Sequence, residues 1–305
     1  MCDQMKKKKV RLSSSDAYLY LIPFIIGILV FRLMPFIEAF RISLFQERIG
    51  WPEPVFVGFG NFEEILFGES MNGVLFRDSL AVTFRYVFLT VPLVLVVALF
   101  IAFILNFKLK GIGFFRTAFY IPSILGGSVS IAILWRAVWG NQGLVNAFLG
   151  VFGIDPVGWM VQGGTALIVI SLLRAWQFGS VMLIFLSALQ NVPLTLYEAA
   201  SIDGAKKWRQ FFTITIPIIT PTILFNIIQL MVAAFQEFNG PFLVPTTPGG
   251  PGTSTLLLNI FIYQRAFEQG NFGIAAAASW VMFVLIMIAT LMIFKFSNKW
   301  VFYND

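Results

Sequence analysis

The side chains that could do chemistry in this chain are few and gathered in one place. Residues 198 to 212 read EAASIDGAKKWRQFF. Glu198 and Asp203 are acidic, Lys206, Lys207 and Arg209 are basic, and Trp208, Phe211 and Phe212 follow Gly204. Histidine, the commonest general base and metal ligand, is absent, so no Ser-His-Asp or Cys-His arrangement is possible. Cys2 is the only cysteine, which excludes an internal disulfide and a cysteine metal cluster. The acids elsewhere do not gather into a catalytic group; Glu63 and Glu64 are adjacent but have no basic residues beside them. Neither a G-x-x-x-x-G-K-[ST] phosphate loop nor even the dipeptide Gly-Lys occurs. These absences argue against an enzyme. The charged segment reads as a compact docking element, or as an interfacial loop that merely joins its neighbours.

What positions that segment is apolar. Hydrophobic residues make up 58% and charged residues 12%, against roughly 25% charged in soluble domains. Mean hydropathy is +0.83. Six charge-poor stretches stand out, at 17–37, 86–106, 117–135, 167–189, 217–237 and 274–294, each near the ~20 residues a membrane-spanning helix needs. Backbone groups inside a bilayer must bond internally, and barrel strands would alternate polar with apolar residues, so the expected fold is an all-α integral membrane protein with six transmembrane helices. The first stretch is too long for the apolar core of a signal peptide and reads as a retained span. A basic segment 1–16, a six-span domain 17–296 and a tail 297–305 complete the organisation.

Charge orients the spans. Lys6 to Lys9, Arg11, Lys108, Lys110, Arg116, Lys206, Lys207, Arg209, Lys295 and Lys299 fall on one side. Only Arg41, Arg48, Arg77 and Arg265 fall in the loops of the other, with most of the acids. By the positive-inside rule both termini and the 198–212 segment are cytoplasmic. The net charge of +6 thus flanks membrane lipid and does not suggest nucleic acid as a partner. Arg32 and Arg85 lie near span ends and can extend to the interface. Arg174 sits deeper, beside Trp176 and Gln177; it either lines an aqueous pathway or reaches the outer interface, and the second reading is preferred. The outward segment 38–85 is long and leans acidic, and the segment 238–273 contains PTTPGGPGTST, too rich in proline and glycine for a helix.

The charged segment has local logic. LTLYEAASID suits a short helix, and Gly204 suits a stop at positive φ. Ala205, Trp208 and Phe212 then recur at helical spacing, as on a helix lying at the membrane surface with its aromatics inward, and Pro217 marks the next span. The stretch EAASIDGAKKWRQFFTITIPIITP resembles the EAA signature of permease subunits in binding-protein-dependent ABC importers. Glu198, Ala199, Ala200, Gly204 and Pro217 match that pattern. AYLYLIPFIIGILVFRLMPF, RTAFYIPSILGGSVSIAILW, LSALQNVPLTLYEAASIDGA and GGPGTSTLLLNIFIYQRAF are similar to the carbohydrate branch, of maltose and glycerol-3-phosphate type.

The resemblance implies a type I ABC importer permease fold in a bacterial or archaeal cytoplasmic (inner) membrane. It makes 190–216 a coupling loop in which Glu198, Ala199, Ala200, Asp203 and Gly204 meet an ATPase. It also implies the partners: a second, related permease, two nucleotide-binding subunits that hold ATP and Mg, and an extracytoplasmic solute-binding protein. No metal or cofactor is expected in this chain. The solute would be a sugar, oligosaccharide or related polyol. The residues implied for its pathway are Ser123 on the third span, Trp176, Gln177 and Ser180 on the fourth, and Gln236, Glu237 and Asn239 at the end of the fifth. Segment 246–254 is expected to help dock the solute-binding protein. The alternative is a secondary transporter driven by an ion gradient, which would commonly place acids or histidines at the membrane midplane.

Overall fold

The computed structural model describes residues 14–50, 53–107 and 110–302. The basic run Lys6 to Lys9, Arg11, Lys108 and the last three residues of the tail lie outside the described residues.

The chain opens with α1 (Ser14–Ile28), a π-helical turn at Leu29–Leu33, and α2 (Met34–Ser43). Pro35 lacks an N–H and its ring crowds the carbonyl four residues back, so the backbone widens just before it. The most apolar stretch of this rod, from Tyr20 onward, buries no residue. Its C-terminal end packs: Phe36 and Phe40 lie 4.5 and 4.9 Å from the ring of Trp280.

A small cap follows. Strands β1 (Phe45–Gln46) and β2 (Val55–Phe56) pair antiparallel, Phe45 opposite Phe56, and lead into α3 (Gly60–Phe67). Asn61 fastens the cap by donating from Nδ2 to the carbonyls of Ser43 and Phe45, both at 2.9 Å.

The centre of the fold is α4 (Met71–Leu105), 35 residues capped by the Ser70 hydroxyl. At ~1.5 Å per residue it is roughly 50 Å long, far more than the ~30 Å hydrocarbon core. The expected span 86–106 is therefore only its C-terminal part. Its buried stripe runs through Ser79, Thr83, Tyr86, Thr90, Val94, Ala98 and Ala102. Small residues along that stripe let neighbouring helices approach closely.

The next two spans are broken. The third was expected to run unbroken over 117–135; instead α5 (Ile112–Leu125) ends at Gly126, and α6 (Val129–Trp139) starts afresh behind a Ser128 cap. The axes of Ile112–Leu125 and Val129–Val151 differ by 103°, the second including α7 (Leu144–Val151). Paired glycines weaken the helix here, and Ser128 accepts from the Ile131 N–H to begin the new one. The fourth span consists of α8 (Gly163–Trp176) and α9 (Gly179–Gln190), bent by 48°. At the bend Gly179 passes so close to Phe119 and Tyr120 of α5 that a Cβ would lie 2.6 Å from the Phe119 carbonyl oxygen.

Two short helices, α10 (Leu194–Ile202) and α11 (Lys207–Gln210), form the charged loop. A π-helical turn at Phe211–Thr215, α12 (Ile216–Ile218) and α13 (Thr220–Phe235) make the fifth span, which α14 (Asn239–Leu243) extends after a break. The chain closes with α15 (Leu258–Tyr263), a π-helical turn at Gln264–Glu268 and α16 (Phe272–Ser297). Among the described residues four helices are long and apolar enough to cross a membrane, or up to six if each bent pair counts as one span.

The core lies between α4, α8, α9, α13 and α15, around Tyr86, Ile170, Met182, Phe185, Phe235 and Phe261. Two polar contacts cross it. Thr90 donates to the Ser171 hydroxyl at 2.9 Å, and the Leu258 N–H donates to the Thr83 hydroxyl at 2.8 Å. The proline- and glycine-rich segment is folded against the body. Thr255 is buried and donates to the Gly250 carbonyl at 2.6 Å, and the Gly249 N–H reaches the Pro241 carbonyl at 3.2 Å.

Candidate functional site

The helix breaks converge. Gly126, Gly127 and Ser128 from the third span, Gln177 from the fourth, and Glu237, Asn239 and Gly240 from the fifth surround one cavity of about 150 Å³. Tyr86 of α4 and Leu173 and Arg174 of α8 complete its wall. Irregular backbone is tolerated at membrane depth where it lines such a cavity, because freed N–H and C=O groups find partners there. The break after Gln177 falls near the middle of the bent pair 163–190, so the cavity sits deep between the ends of the fourth span.

Its polar groups form a connected set. Gln177 donates from Nε2 to the Gly126 carbonyl at 3.1 Å and accepts from Arg174 Nη1 at 3.1 Å. Glu237 accepts from the Gly240 N–H at 3.1 Å, and Ser123 donates to the Tyr120 carbonyl at 2.7 Å. Tyr86 is wholly buried, and its hydroxyl has no hydrogen-bonding partner among the described residues. Outside the cavity Arg136 of α6 donates to the carbonyls of Val244 and Pro245, at 2.9 and 2.6 Å, and so holds the third span to the segment following α14.

Of the residues expected along the pathway, Ser123, Gln177, Glu237 and Asn239 reach this cavity. Trp176, Ser180 and Gln236 do not. Three residues apart, Gln177 and Ser180 would share a face of an unbroken helix, but the break between them turns exposed Ser180 onto a different surface. Trp176 turns toward Trp135, 6.0 Å away, in a tryptophan cluster that continues to Trp139 and Trp159. Gln236 lines an apolar groove with Met282, Phe283 and Ile286 of α16. Arg174 belongs to the cavity, so its preferred placement at the outer interface is corrected: the bend lodges it among polar walls. Tyr86 was missed; a single tyrosine in an apolar run gives no periodic signal.

The charged loop is equally definite in shape. Gly204 stands at φ +76°, the left-handed stop expected of it. The Gly204 N–H bonds the Ser201 carbonyl at 3.1 Å, and the Ala205 N–H bonds the Ala200 carbonyl at 2.9 Å, forming a Schellman closure of α10. Two side chains, those of Tyr197 and Gln210, tie the legs of the loop. Tyr197 and Thr215 share a hydroxyl contact of 2.7 Å, and buried Gln210 donates to Ser201 at 2.9 Å and to the Ala205 carbonyl at 3.0 Å. Glu198, Ala199, Asp203 and Gly204 are exposed and Ala200 is half-buried, while Ile202 is 88% exposed at the tip. The aromatic stretch after Gly204 is not a separate surface helix. It winds through the π-helical turn into the span, with Trp208 and Phe212 stacked and exposed.

Comparison with known proteins agrees with this architecture. Residues 65–302 match the family described as "Binding-protein-dependent transport system inner membrane component". The chain is 43% identical to the probable ABC transporter permease protein YesP of Bacillus subtilis (strain 168), over 99% of this chain and 97% of that one. It is 32% identical to the lactose transport system permease protein LacF of Rhizobium radiobacter, over 92% and 93% respectively. In fold it is similar to a chain in the crystal structure of a bacterial ABC transporter that imports the acidic polysaccharide alginate. That match has a TM-score of 0.78 at 23% identity and covers 93% of this chain and 95% of that one. These matches give the ion-gradient alternative no support. Folded around broken spans, and related to ABC permeases along nearly its whole length, this chain belongs to the family of binding-protein-dependent transport system inner membrane components, a transporter permease that crosses the inner membrane several times.

Proposed function

We propose that this chain is one of two related permease subunits of an ATP-driven importer for a sugar, oligosaccharide or related polyol. A solute-binding protein delivers the solute, and two nucleotide-binding subunits, which hold ATP and Mg, drive the cycle. This chain itself carries no cofactor. The observation that supports the reading most is the meeting of three helix breaks around one polar cavity. A hydroxyl-rich solute needs donors and acceptors at membrane depth, and Ser123, Gln177, Glu237 and Asn239 supply both. The lactose-transport name of one relative supports the carbohydrate class.

Glu198, Ala199, Ala200, Asp203 and Gly204 form the docking face toward the ATPase. Exposed Ile202 provides an apolar anchor there, and Glu198 meets a cation of that subunit. On the opposite side the folded 246–254 segment offers a firm surface to the solute-binding protein. Both termini are cytoplasmic in a bacterial or archaeal inner membrane.

The test is reconstitution of the complete transporter in liposomes, with uptake of a sugar panel and ATP hydrolysis measured together. Uptake should require ATP and the solute-binding protein, and Glu198→Lys should release the ATPase on purification. Uptake driven by an ion gradient without ATP would refute the proposal. For orientation, a single cysteine at position 206 in a Cys2→Ser background should react with an impermeant thiol reagent only from the cytoplasmic side.

A further inference from the structure

Resting on the reading of this chain as a sugar permease, we infer that its solute is an acidic saccharide, whose carboxylate is received by Arg174 and Tyr86. The cavity contains a cation with no ion-pair partner among the described residues. A charge near the centre of a span is costly on insertion scales, so an arginine there calls for an anionic partner. Yet among the described residues no carboxylate lies within ion-pair distance of Arg174, whose side-chain partner is the neutral amide of Gln177. Glu237 lines the same cavity, but its hydrogen bond goes to the Gly240 N–H. A guanidinium presents five N–H donors in a flat fork that matches a carboxylate, and Gln177 takes up only one side of it.

Tyr86 points the same way. It is 0% exposed, it lines the cavity, and its hydroxyl makes no hydrogen bond among the described residues, although an unpaired buried donor is costly. Thr90, one turn along α4, donates its own hydroxyl to Ser171. A carboxylate set beside Arg174 would offer Tyr86 the acceptor it lacks. Ser123, Asn239 and Glu237 then face the ring hydroxyls. A phosphate monoester fits the charges less well. It carries about −1.5 to −2, more than a single arginine offsets in a cavity that also contains Glu237.

The test uses the complete transporter in proteoliposomes with three solute sets. The first is a mixture of uronate oligosaccharides of two to four units from digested polygalacturonate and alginate. The second is the same mixture after carboxyl reduction to neutral sugars, and the third is a sugar phosphate. ATP-dependent uptake should favour the uronates about tenfold over their reduced counterparts, the worth of a hydrogen-bonded charge pair. Arg174→Gln should lower uronate uptake by about tenfold, Arg174→Lys less, and Tyr86→Phe several-fold. Co-purification of the partner subunits reports that each variant is assembled, and the wild-type comparison needs no variant at all. Uptake of reduced or neutral oligosaccharides as fast as uronates would overturn the inference and leave the sugar-permease reading standing. Preference for the sugar phosphate would overturn it too. No ATP-dependent uptake of any saccharide would refute the sugar-permease reading, and this inference with it.

Discussion

Gln177 donates from its side-chain amide to the carbonyl oxygen of Gly126 at 3.1 Å, so the break in the fourth span is bonded to the break in the third. The contact depends on glycine. A Cβ at position 126 would overlap the Gln177 side chain. Gly126→Ala should therefore push Gln177 aside and free the Gly126 carbonyl and Arg174 together. Gln177 is a flexible side chain that can swing away, so assembly should persist while uptake falls about tenfold, in line with the loss of a hydrogen bond to a charged group. Uptake by proteoliposomes at parental complex yield checks this; unchanged uptake would detach Gln177 from the pathway.

Gly204 poses a purely conformational test, because nothing lies within 4 Å of where its Cβ would be. Its φ of +76° penalises an L-residue by about 1–2 kcal/mol. Gly204→Val should reopen the end of α10 and lower uptake per ATP hydrolysed, or release the ATPase. Gly204→Asn, which tolerates left-handed backbone, should retain most coupling. Equal behaviour of the two variants would show that side-chain bulk, and not backbone angle, matters at this position.

Gln210 is 2% exposed and bonds across the loop to Ser201 and to the Ala205 carbonyl. Gln210→Leu removes both contacts and leaves the Ala205 carbonyl without that donor, a change of about 1–3 kcal/mol. Membrane insertion should be normal, since the spans are untouched. Uptake should fall relative to ATP hydrolysis, and limited proteolysis in inside-out vesicles should cut the loop faster than in the parent.

Thr83 accepts the N–H of Leu258, both residues being 0% exposed. Thr83→Val keeps the shape but leaves that N–H buried and unpaired, at a loss of about 1–3 kcal/mol. The detergent-purified complex should unfold at lower temperature, with solute preference unchanged.

Where the sequence was legible, one local rule decided the outcome. Gly204 had to end a helix, and it does so at positive φ. Ser123, Gln177, Glu237 and Asn239, which the resemblance implied for the third to fifth spans, meet at one cavity. The misses share a different origin. Hydropathy shows that a stretch can cross a membrane and is blind to a 103° turn within it, because Gly126 and Gly127 are apolar enough to leave the run intact. Counting along an assumed straight helix then sent Arg174 toward the interface and grouped Ser180 with Gln177. Trp176 and Gln236 lie away from the cavity for a related reason: each borders a break, and one residue's shift there exchanges cavity for tryptophan cluster or apolar groove.

The two ties across the charged loop bear on how force could travel. With Tyr197 held to Thr215 and Gln210 held to Ser201, the loop has little slack between its exposed tip and the base of the fifth span. A hinge at that position would absorb displacement by bending, whereas a braced elbow rotates as a unit and converts a push at Ile202 into tilt of α13. The fifth span ends beside Glu237 and Asn239. A stroke delivered on one side of the membrane would thus reach the cavity wall through a stiff lever, undiminished by the short helices in between.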